Sequence, residues 1–209
     1  MVDLGDLTKA VEGGDRSLAV DLTRQAIADG IDPRNTLAAM TSAMDIVGGQ
    51  FQRSEIFVPE MLIAARAMKE AMAVLEPELA GIGVKPEHTA ILGTASGDLH
   101  DIGKNLVGMM WKGANIEVID LGTNVPAERF VDAVREHGAR LVGISALLTT
   151  TMVNMKFVVD AIRQADLGDV KIMIGGAPVS SEYAAEIGAD GFAADAGTAV
   201  EIAKQMLAQ

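Results

Sequence analysis

A single histidine lies between two carboxylates near the middle of the chain. Asp98 stands two residues before His100, and Asp101 follows it directly. In extended backbone, residues i and i+2 project to the same side, so the Asp98 carboxylate can reach the His100 ring. A carboxylate that accepts a bond from one imidazole nitrogen fixes the tautomer and leaves the other nitrogen free as a metal ligand. The spacing is therefore compatible with a metal-binding histidine.

The same residues have other interpretations. Asp98 or Asp101 could cap the following helix, and His100 could be a solvated loop residue or the acid–base group of a small enzyme. A site built only from protein ligands is disfavoured, because no second His or Cys lies nearby to complete a tetrahedral set. Gly103 has no side chain where the chain turns into the helix, which leaves room for a bulky group. Spacing alone does not decide among these alternatives.

Composition excludes several classes of function. The 209 residues carry a net charge of −12, which argues against nucleic acid and anionic membranes as partners. With no cysteine, the chain has no disulfide, thiolate zinc site or iron–sulfur cluster of its own. No signal peptide or membrane-spanning run is found, so we expect a cytoplasmic protein. The 49% hydrophobic content is enough to build a substantial core.

The first part of the chain is predicted to be entirely helical. Apolar residues recur there at spacings of three and four, and Asp32-Pro33 provides a cap and a first-turn proline. Four short helices are expected to form a small bundle over residues 1–83. A linker is expected at 80–87. The helical segments with defined predicted ranges are Leu18–Ala28, Thr36–Val47 and Pro59–Leu79.

From residue 88 to residue 209 the pattern changes to alternating strands and helices. Five βα units predict a doubly wound parallel sheet, here a flavodoxin-like (Rossmann-type) domain. Ligands of such sheets bind at the carboxyl ends of the strands, so the loops 94–102, 121–126, 146–151 and 176–180 are the candidate binding loops. The predicted strands are Thr89–Gly93, Ile116–Asp120, Leu141–Ser145, Lys171–Gly175 and Gly191–Ala193. The predicted helices are Gly103–Lys112, Ala127–His137, Met152–Gln164, Ser181–Ile187 and Thr198–Leu207.

The loop motifs resemble those of a known family. Asp98-x-His100-x-x-Gly103 is similar to the Asp-x-His-x-x-Gly motif of cobalamin-binding domains. The resemblance is closest to the small corrinoid proteins of methylamine, methanol and methoxyl methyltransferase systems, and to the cobalamin-binding module of methionine synthase. It continues in order through the later loops and includes the helical part, which looks like the cap of that group. The later motifs are Asp120–Pro126, Ser145–Thr151, Ile174–Pro178 and Phe192–Gly197.

The resemblance implies a role for each matching residue. His100 would bind cobalt from below in place of the cofactor's own base, and Asp98 and Thr151 would form a proton relay behind it. In the helical part, Phe51 and Val58 would shield the methyl face of the corrin. The nucleotide tail would pass Gly103, Ser145, Leu147, Thr149, Gly175 and Gly176. The other implied cofactor-binding positions are Gly97, Leu99, Asp101, Ile102 and Ala196.

The implied function is that of a methyl carrier. A cobalamin or related corrinoid would alternate between cob(I)alamin and methylcob(III)alamin. One substrate-specific methyltransferase would load it, and a second, acting on a thiol or tetrahydrofolate, would unload it. A reductive activation protein would be a third partner. Whether the chain counts as an enzyme by itself is left open.

Three other functions fit part of the pattern. The small subunit of an adenosylcobalamin mutase shares the histidine motif, although the upstream helical module favours methyl transfer. A cobalamin-dependent sensor would combine similar parts, but regulators of that kind usually carry a DNA-binding segment, which is not found here. A flavodoxin-like enzyme or receiver domain without a corrinoid would explain the fold and leave the ordered motifs to coincidence.

Overall fold

The computed structural model describes residues 2–84 and 86–208. The chain divides into two compact units. One comprises Met1–Pro86 with the short segment Gly113–Asn115, and the other comprises Glu87–Lys112 and Ile116–Gln209. We call the first the helical unit and the second the α/β unit. None of the helices in the described ranges combines the length and apolar composition needed to traverse a lipid bilayer.

The helical unit is built from four consecutive helices, as predicted. Helix α2 packs on α4, and α3 packs on both α1 and α4. Buried methionine and leucine side chains fill its centre, including those of Met40, Met44 and Met61. The helices are α1 (Leu4–Glu12), α2 (Arg16–Ala28), α3 (Pro33–Gln52) and α4 (Val58–Gly81).

Helices α2 and α3 begin two or three residues earlier than the apolar periodicity predicted, and α3 and α4 are longer than the short helices expected. The first turns of α2 and α3 carry polar residues, so their starts are set by capping rather than by core contacts. The Asp15 carboxylate accepts the Leu18 N–H at the start of α2, and that of Asp32 accepts the Arg34 N–H at the start of α3. Pro33 occupies the first turn, as predicted.

The α/β unit contains a five-stranded parallel sheet with the strand order β2-β1-β3-β4-β5. This is the flavodoxin-like order, so the predicted fold class is confirmed. The strands are β1 (His88–Thr94), β2 (Ile116–Asp120), β3 (Leu141–Ser145), β4 (Lys171–Gly175) and β5 (Gly191–Ala193). The helices are α5 (Ile102–Gly113), α6 (Ala127–His137), α7 (Thr149–Met152), α8 (Asn154–Gln164), α9 (Ser181–Ile187) and α10 (Ala196–Leu207).

Aliphatic strands and the inner faces of the helices form the core of this unit. Ile91, Val142 and Ile172 from three strands are fully buried against Phe130 of α6 and Met155 of α8. Their β-branched and aliphatic side chains suit a sheet that is covered on both faces. The sheet is therefore a rigid base for the loops at its carboxyl edge.

One loop prediction is wrong. The sequence predicts a binding loop at 146–151, but Thr149 and Thr151 belong to the short helix α7. The Leu148 carbonyl accepts hydrogen bonds from the N–H groups of Thr151 and Met152, which closes a helical turn directly after the strand. A run of three β-branched threonines does not predict a helix, so this turn was missed.

Candidate cofactor site

The candidate residues of the α/β unit lie along the carboxyl edge of the sheet. The strand register aligns Thr94 of β1 with Ser145 of β3, and Ser145 with Gly175 of β4. The strand order reverses between β1 and β3, so the loops after these two strands flank the switch point where open α/β sheets bind ligands. The first of these loops contains Asp98 and His100.

Asp98 is buried in this loop, whereas its partner His100 is open to solvent. The Asp98 residue is 1% exposed, and 53% of the His100 side chain is exposed. His100 Nδ1 lies 2.7 Å from Asp98 Oδ1, which also accepts the backbone N–H of His100 at 3.0 Å. The contact expected from the i, i+2 spacing is therefore present. It places the imidazole proton on Nδ1 and leaves Nε2 with its lone pair.

The other oxygen of Asp98 joins the loop after β1 to the segment after β3. Oδ2 accepts the Leu147 N–H at 2.8 Å and the Thr151 hydroxyl at 2.6 Å. The hydroxyl also lies 3.0 Å from the Leu148 carbonyl oxygen. A hydroxyl has one proton, and a charged carboxylate is the stronger acceptor, so Thr151 donates to Asp98. His100, Asp98 and Thr151 thus form a continuous hydrogen-bonded chain.

These contacts determine the charge state of Asp98. Burial alone would raise the pKa of its carboxyl group. Hydrogen bonds from the Thr151 hydroxyl, the His100 and Leu147 N–H groups and the His100 ring outweigh burial and hold the pKa well below its usual range. Asp98 is therefore a carboxylate at neutral pH and is buried with all its acceptor sites engaged.

An ion pair between a buried lysine and a partly exposed aspartate lies at the start of α5. The Lys104 side chain is 1% exposed, and its ammonium donates to both carboxylate oxygens of Asp120, at 2.5 and 2.6 Å. Its third proton goes to Asn105 Oδ1 at 2.7 Å. Asp120 ends β2 and also accepts the Gly122 N–H. The pair ties the end of β2 to the helix that follows the His100 loop.

Apolar side chains near His100 project into solvent. Leu99 is 73% exposed, and Ile102, at the start of α5, is 80% exposed. Leu147 is exposed as well, while its N–H holds Asp98. Exposed large aliphatic side chains in a group typify a surface that receives an apolar ligand or partner. The exposed histidine is therefore set in an apolar surface.

The glycines of the site differ in what a side chain at each position would contact. A Cβ on Gly103 would meet no atom within 4 Å, so this position faces open space. A Cβ on Gly175 would lie 2.9 Å from the Ala193 carbonyl oxygen, and one on Gly176 would lie 1.8 Å from that of Ala146. Gly176 also has φ +131°. The packing of the loop itself therefore requires Gly175 and Gly176, whereas Gly103 leaves volume free.

The other implied positions are more scattered. Gly97 (φ +82°) and Asp101 are exposed beside His100, and Thr149 is exposed on α7. Ala196 is buried at the start of α10, in core rather than at the surface. Phe51 and Val58 belong to the helical unit, on either side of the turn that joins α3 to α4. Phe51 is half-buried and Val58 is 37% exposed.

Three polar residues that hold the loop were missed by sequence reasoning. The fully buried Thr94 hydroxyl donates to the His100 carbonyl oxygen at 3.0 Å. Asn124 and Asn154 bind the backbone of 96–98 from two other segments. Their partners are backbone atoms far away in the sequence, so no local pattern identifies them. Asn124 carried one local signal, because it lies in the loop after β2 and asparagine adopts positive φ more often than most residues.

The ligands that the protein offers fit a metal that is already bound within a cofactor. Among the described residues, no three His, Cys, Asp or Glu side chains are grouped so that they could hold a metal ion. His100 Nε2 has no hydrogen-bond partner within 2–84 and 86–208. One available imidazole nitrogen in an apolar surface fits a metal that is already held in a large, mostly apolar macrocycle, and the exposed Gly103 adds no side chain that would block its approach.

Comparison with known proteins agrees with this chemistry. Residues 88–203 match a family model described as a B12 binding domain, and residues 4–76 match a second model of the same description. The chain belongs to the B12-binding domain family. The predicted corrinoid cofactor is thereby confirmed.

Curated relatives and a solved structure extend over nearly the whole chain. A corrinoid protein of Desulfitobacterium hafniense (strain Y51) is 40% identical over 209 residues, 98% of this chain and 97% of that protein. Trimethylamine corrinoid protein 1 of Methanosarcina acetivorans is 40% identical over 185 residues, 87% of this chain and 86% of its own. The methanol:cobalamin methyltransferase complex MtaBC of Methanosarcina barkeri contains a chain that is 30% identical, with a TM-score of 0.85. That match covers 97% of this chain and 78% of the other. The chain therefore belongs with the small corrinoid proteins, as its loop motifs predicted.

Proposed function

We propose that this corrinoid protein carries a methyl group between two methyltransferases, with His100 as the lower ligand of cobalt. The observation that carries the proposal concerns the half-exposed imidazole of His100. Its Nδ1 is fixed by a buried carboxylate, and its Nε2 has no hydrogen-bond partner among the described residues. When bound, the corrinoid supplies a cobalt atom that accepts and releases the methyl group. The protein's task is to hold that cofactor and tune its lower face.

Asp98 and Thr151 support His100 in this task. Asp98 orients the ring and fixes its tautomer, as carboxylates do for metal-bound histidines. Thr151 stabilises the carboxylate through the 2.6 Å hydrogen bond, and the same contact provides a route by which a proton can leave or reach the His100–Asp98 pair. We propose these three residues as the catalytic group of the site.

The remaining predicted positions complete the proposal. Exposed Leu99, Ile102 and Leu147 would contact the corrin ring, and the gap at Gly103 would admit the cofactor. Phe51 and Val58 would shield the methyl face, with residues 1–83 as the cap and 88–209 as the cofactor domain. The buried position of Ala196 leaves it, at most, a backbone role.

Relatives support methyltransferase partners. One relative is named for trimethylamine, and a solved chain of similar fold is part of a methanol:cobalamin methyltransferase complex. We therefore propose a substrate-specific methyltransferase as the loading partner. A second enzyme that uses a thiol or tetrahydrofolate would unload the methyl group, and a reductase would restore oxidised cofactor.

A single-turnover transfer experiment tests the carrier function. The protein is reconstituted with hydroxocobalamin, reduced with titanium(III) citrate and methylated with radiolabelled methyl iodide. The labelled protein is then mixed with a purified corrinoid:thiol or corrinoid:tetrahydrofolate methyltransferase. We expect one acceptor to gain the label stoichiometrically. Label that stays on the protein with both enzymes would contradict a carrier role.

A large side chain at position 103 should weaken cofactor binding without changing the stability of the fold. We expect Gly103→Leu to change the free energy of unfolding of the apoprotein by less than about 1 kcal/mol, because a Cβ there meets nothing. The same substitution should reduce retention of hydroxocobalamin on gel filtration at least about tenfold, since the leucine side chain would occupy the space beside His100 that the cofactor enters.

Gly122→Leu also faces open space, but its φ of +82° makes it unsuitable as a control. Gly81→Leu at the end of α4 is suitable, and it should leave retention unchanged. Equal retention in Gly103→Leu and the unaltered protein would contradict this placement.

A further inference from the structure

Two asparagine side chains hold the backbone that carries Asp98 and His100. Gly97 N–H donates to Asn124 Oδ1 at 2.8 Å, and Asn124 N–H donates to the Asp98 carbonyl oxygen at 2.8 Å. From another segment, Asn154 Nδ2 donates to the Ser96 carbonyl oxygen at 2.8 Å. Peptide groups 96–98 are therefore held by the loop after β2 and by the start of α8. We call these two side chains the asparagine clamp.

The backbone partners determine how each amide is oriented. A peptide N–H can only donate, so the Asn124 atom that faces Gly97 is the oxygen. A carbonyl can only accept, so the Asn154 atom that faces Ser96 is the nitrogen. The two clamp residues have the same side chain and use opposite ends of it. The same substitution should therefore affect the two residues differently.

The local backbone explains why the loop needs such support. Gly97 has φ +82° and Asn124 has φ +54°, so both sides of the contact lie in the left-handed region. Because glycine has no side chain, the backbone at Gly97 can adopt many other conformations as well as this one. The reciprocal bonds with Asn124 select one of them. In that conformation the Asp98 carboxylate points into the protein and the His100 ring points out.

We propose that Asn124 and Asn154 are positioning residues that fix the direction of His100 Nε2 for cobalt. The inference rests on the proposed role of His100 as the cobalt ligand. The hydrogen bonds of both asparagines go to the peptide groups that precede the His100 ring, so each acts on the ring through the backbone. The clamp thus reduces the entropy lost when the imidazole binds cobalt, because the loop is already in the binding conformation.

The opposite amide orientations predict opposite effects of aspartate. Asn124→Asp keeps an acceptor for Gly97 N–H and should hold the loop. Asn154→Asp replaces the donor by a carboxylate that faces the Ser96 carbonyl oxygen, and it should release the loop. Asn124→Gly and Asn154→Ala each remove one neutral hydrogen bond. Gly tolerates the positive φ at position 124, so its effect reports the lost acceptor rather than backbone strain.

Binding of histidine to cob(II)alamin is the readout, measured by the nitrogen splitting in the electron paramagnetic resonance spectrum. We expect Asn124→Gly and Asn154→Ala to lower the ratio of histidine-bound to unbound cobalt about fivefold each, as for loss of one hydrogen bond. Asn154→Asp should lower it about tenfold, and Asn124→Asp should restore it to within about twofold. Asn115→Gly is the matched control: Asn115 also has positive φ, at the other end of β2, and should have no effect.

The apoprotein provides a second readout. Hydrogen exchange of the Gly97 amide should be faster in Asn124→Gly and unchanged in Asn124→Asp, because only the first variant loses the acceptor. Equal behaviour of Asn124→Gly and Asn124→Asp in both measurements, or of Asn154→Asp and the unaltered protein, would overturn the clamp. Absence of histidine splitting in the unaltered protein would instead overturn His100 as the cobalt ligand.

Discussion

Replacing Asp98 with alanine is expected to lower the free energy of unfolding of the α/β unit by about 3 kcal/mol. The substitution removes the acceptor of the Leu147 N–H, the His100 N–H and the buried Thr151 hydroxyl together. Buried donors without an acceptor are costly, since they gave up water to enter the protein. Urea denaturation of the apoprotein, followed by circular dichroism, measures the loss.

Two further variants test whether the loss of stability comes from the hydrogen bonds of Asp98. Asp98→Asn keeps one acceptor oxygen but presents an NH₂ group to a donor, so we expect a loss of about 2 kcal/mol. Asp132→Ala removes an exposed carboxylate of α6 that pairs with Arg135, and should cost less than about 0.5 kcal/mol. Similar losses for Asp98→Ala and Asp132→Ala would show that the hydrogen bonds of Asp98 do not stabilise the fold.

The stability contributed by Asp98 should depend on pH in a defined direction. The folded protein holds the pKa of this carboxyl group below the unfolded value of about 3.9. Such a group adds stability that is fully present above the unfolded pKa and is lost as pH falls toward the folded pKa. The difference in free energy of unfolding between the unaltered protein and Asp98→Asn should therefore be constant above about pH 5 and shrink below about pH 4. A constant difference down to pH 3, within the range where both proteins stay folded, would contradict the lowered pKa.

Asp120→Ala is expected to produce the second large effect. It leaves the buried Lys104 ammonium with Asn105 as its remaining partner among the described residues. Loss of one member of a buried ion pair costs about 3–5 kcal/mol. The Asp120 side chain is 40% exposed, so water can partly replace it, and we expect about 2 kcal/mol.

A double-mutant cycle identifies the cause of that loss. Lys104→Met combined with Asp120→Ala removes the buried charge as well as its partner, and should recover at least about half of the stability lost by Asp120→Ala alone. Urea denaturation of the two single variants and the double variant measures the coupling. A double variant that is less stable than Asp120→Ala would contradict an uncompensated Lys104 charge as the source.

The sequence was most informative where one local pattern determines structure. β3 and β4 occupy the predicted ranges Leu141–Ser145 and Lys171–Gly175, because each apolar run is too short for a typical helix and is bounded by polar or glycine residues. The Asp98–His100 contact also follows from local spacing. Helix ends were less predictable, since polar capping residues determine them. The short helix α7 was missed for a different reason, because a run of three β-branched threonines does not predict a helix.

The parts of the site that no local sequence pattern predicts depend on long-range contacts. Thr151 and Leu147 meet Asp98 across about fifty residues of sequence, and Asn124 and Asn154 meet the 96–98 backbone in a similar way. The resemblance implied a role for Thr151 but gave none for either asparagine. Lys104 would ordinarily be placed at the surface, and its burial follows only from the position of Asp120 at the end of β2.

The central claim is that His100 binds cobalt through Nε2, and labelling of histidine nitrogen tests it most directly. The protein contains three histidines, so the measurement compares the unaltered chain with His100→Gly, each grown with ordinary or ¹⁵N-labelled histidine and reconstituted as cob(II)alamin. In the electron paramagnetic resonance spectrum, we predict that the label changes the nitrogen splitting of the unaltered protein from a triplet to a doublet. It should have no effect on His100→Gly. A splitting in the unaltered protein that does not respond to the histidine label would show that cobalt is held by some other nitrogen, and would contradict the assignment of His100.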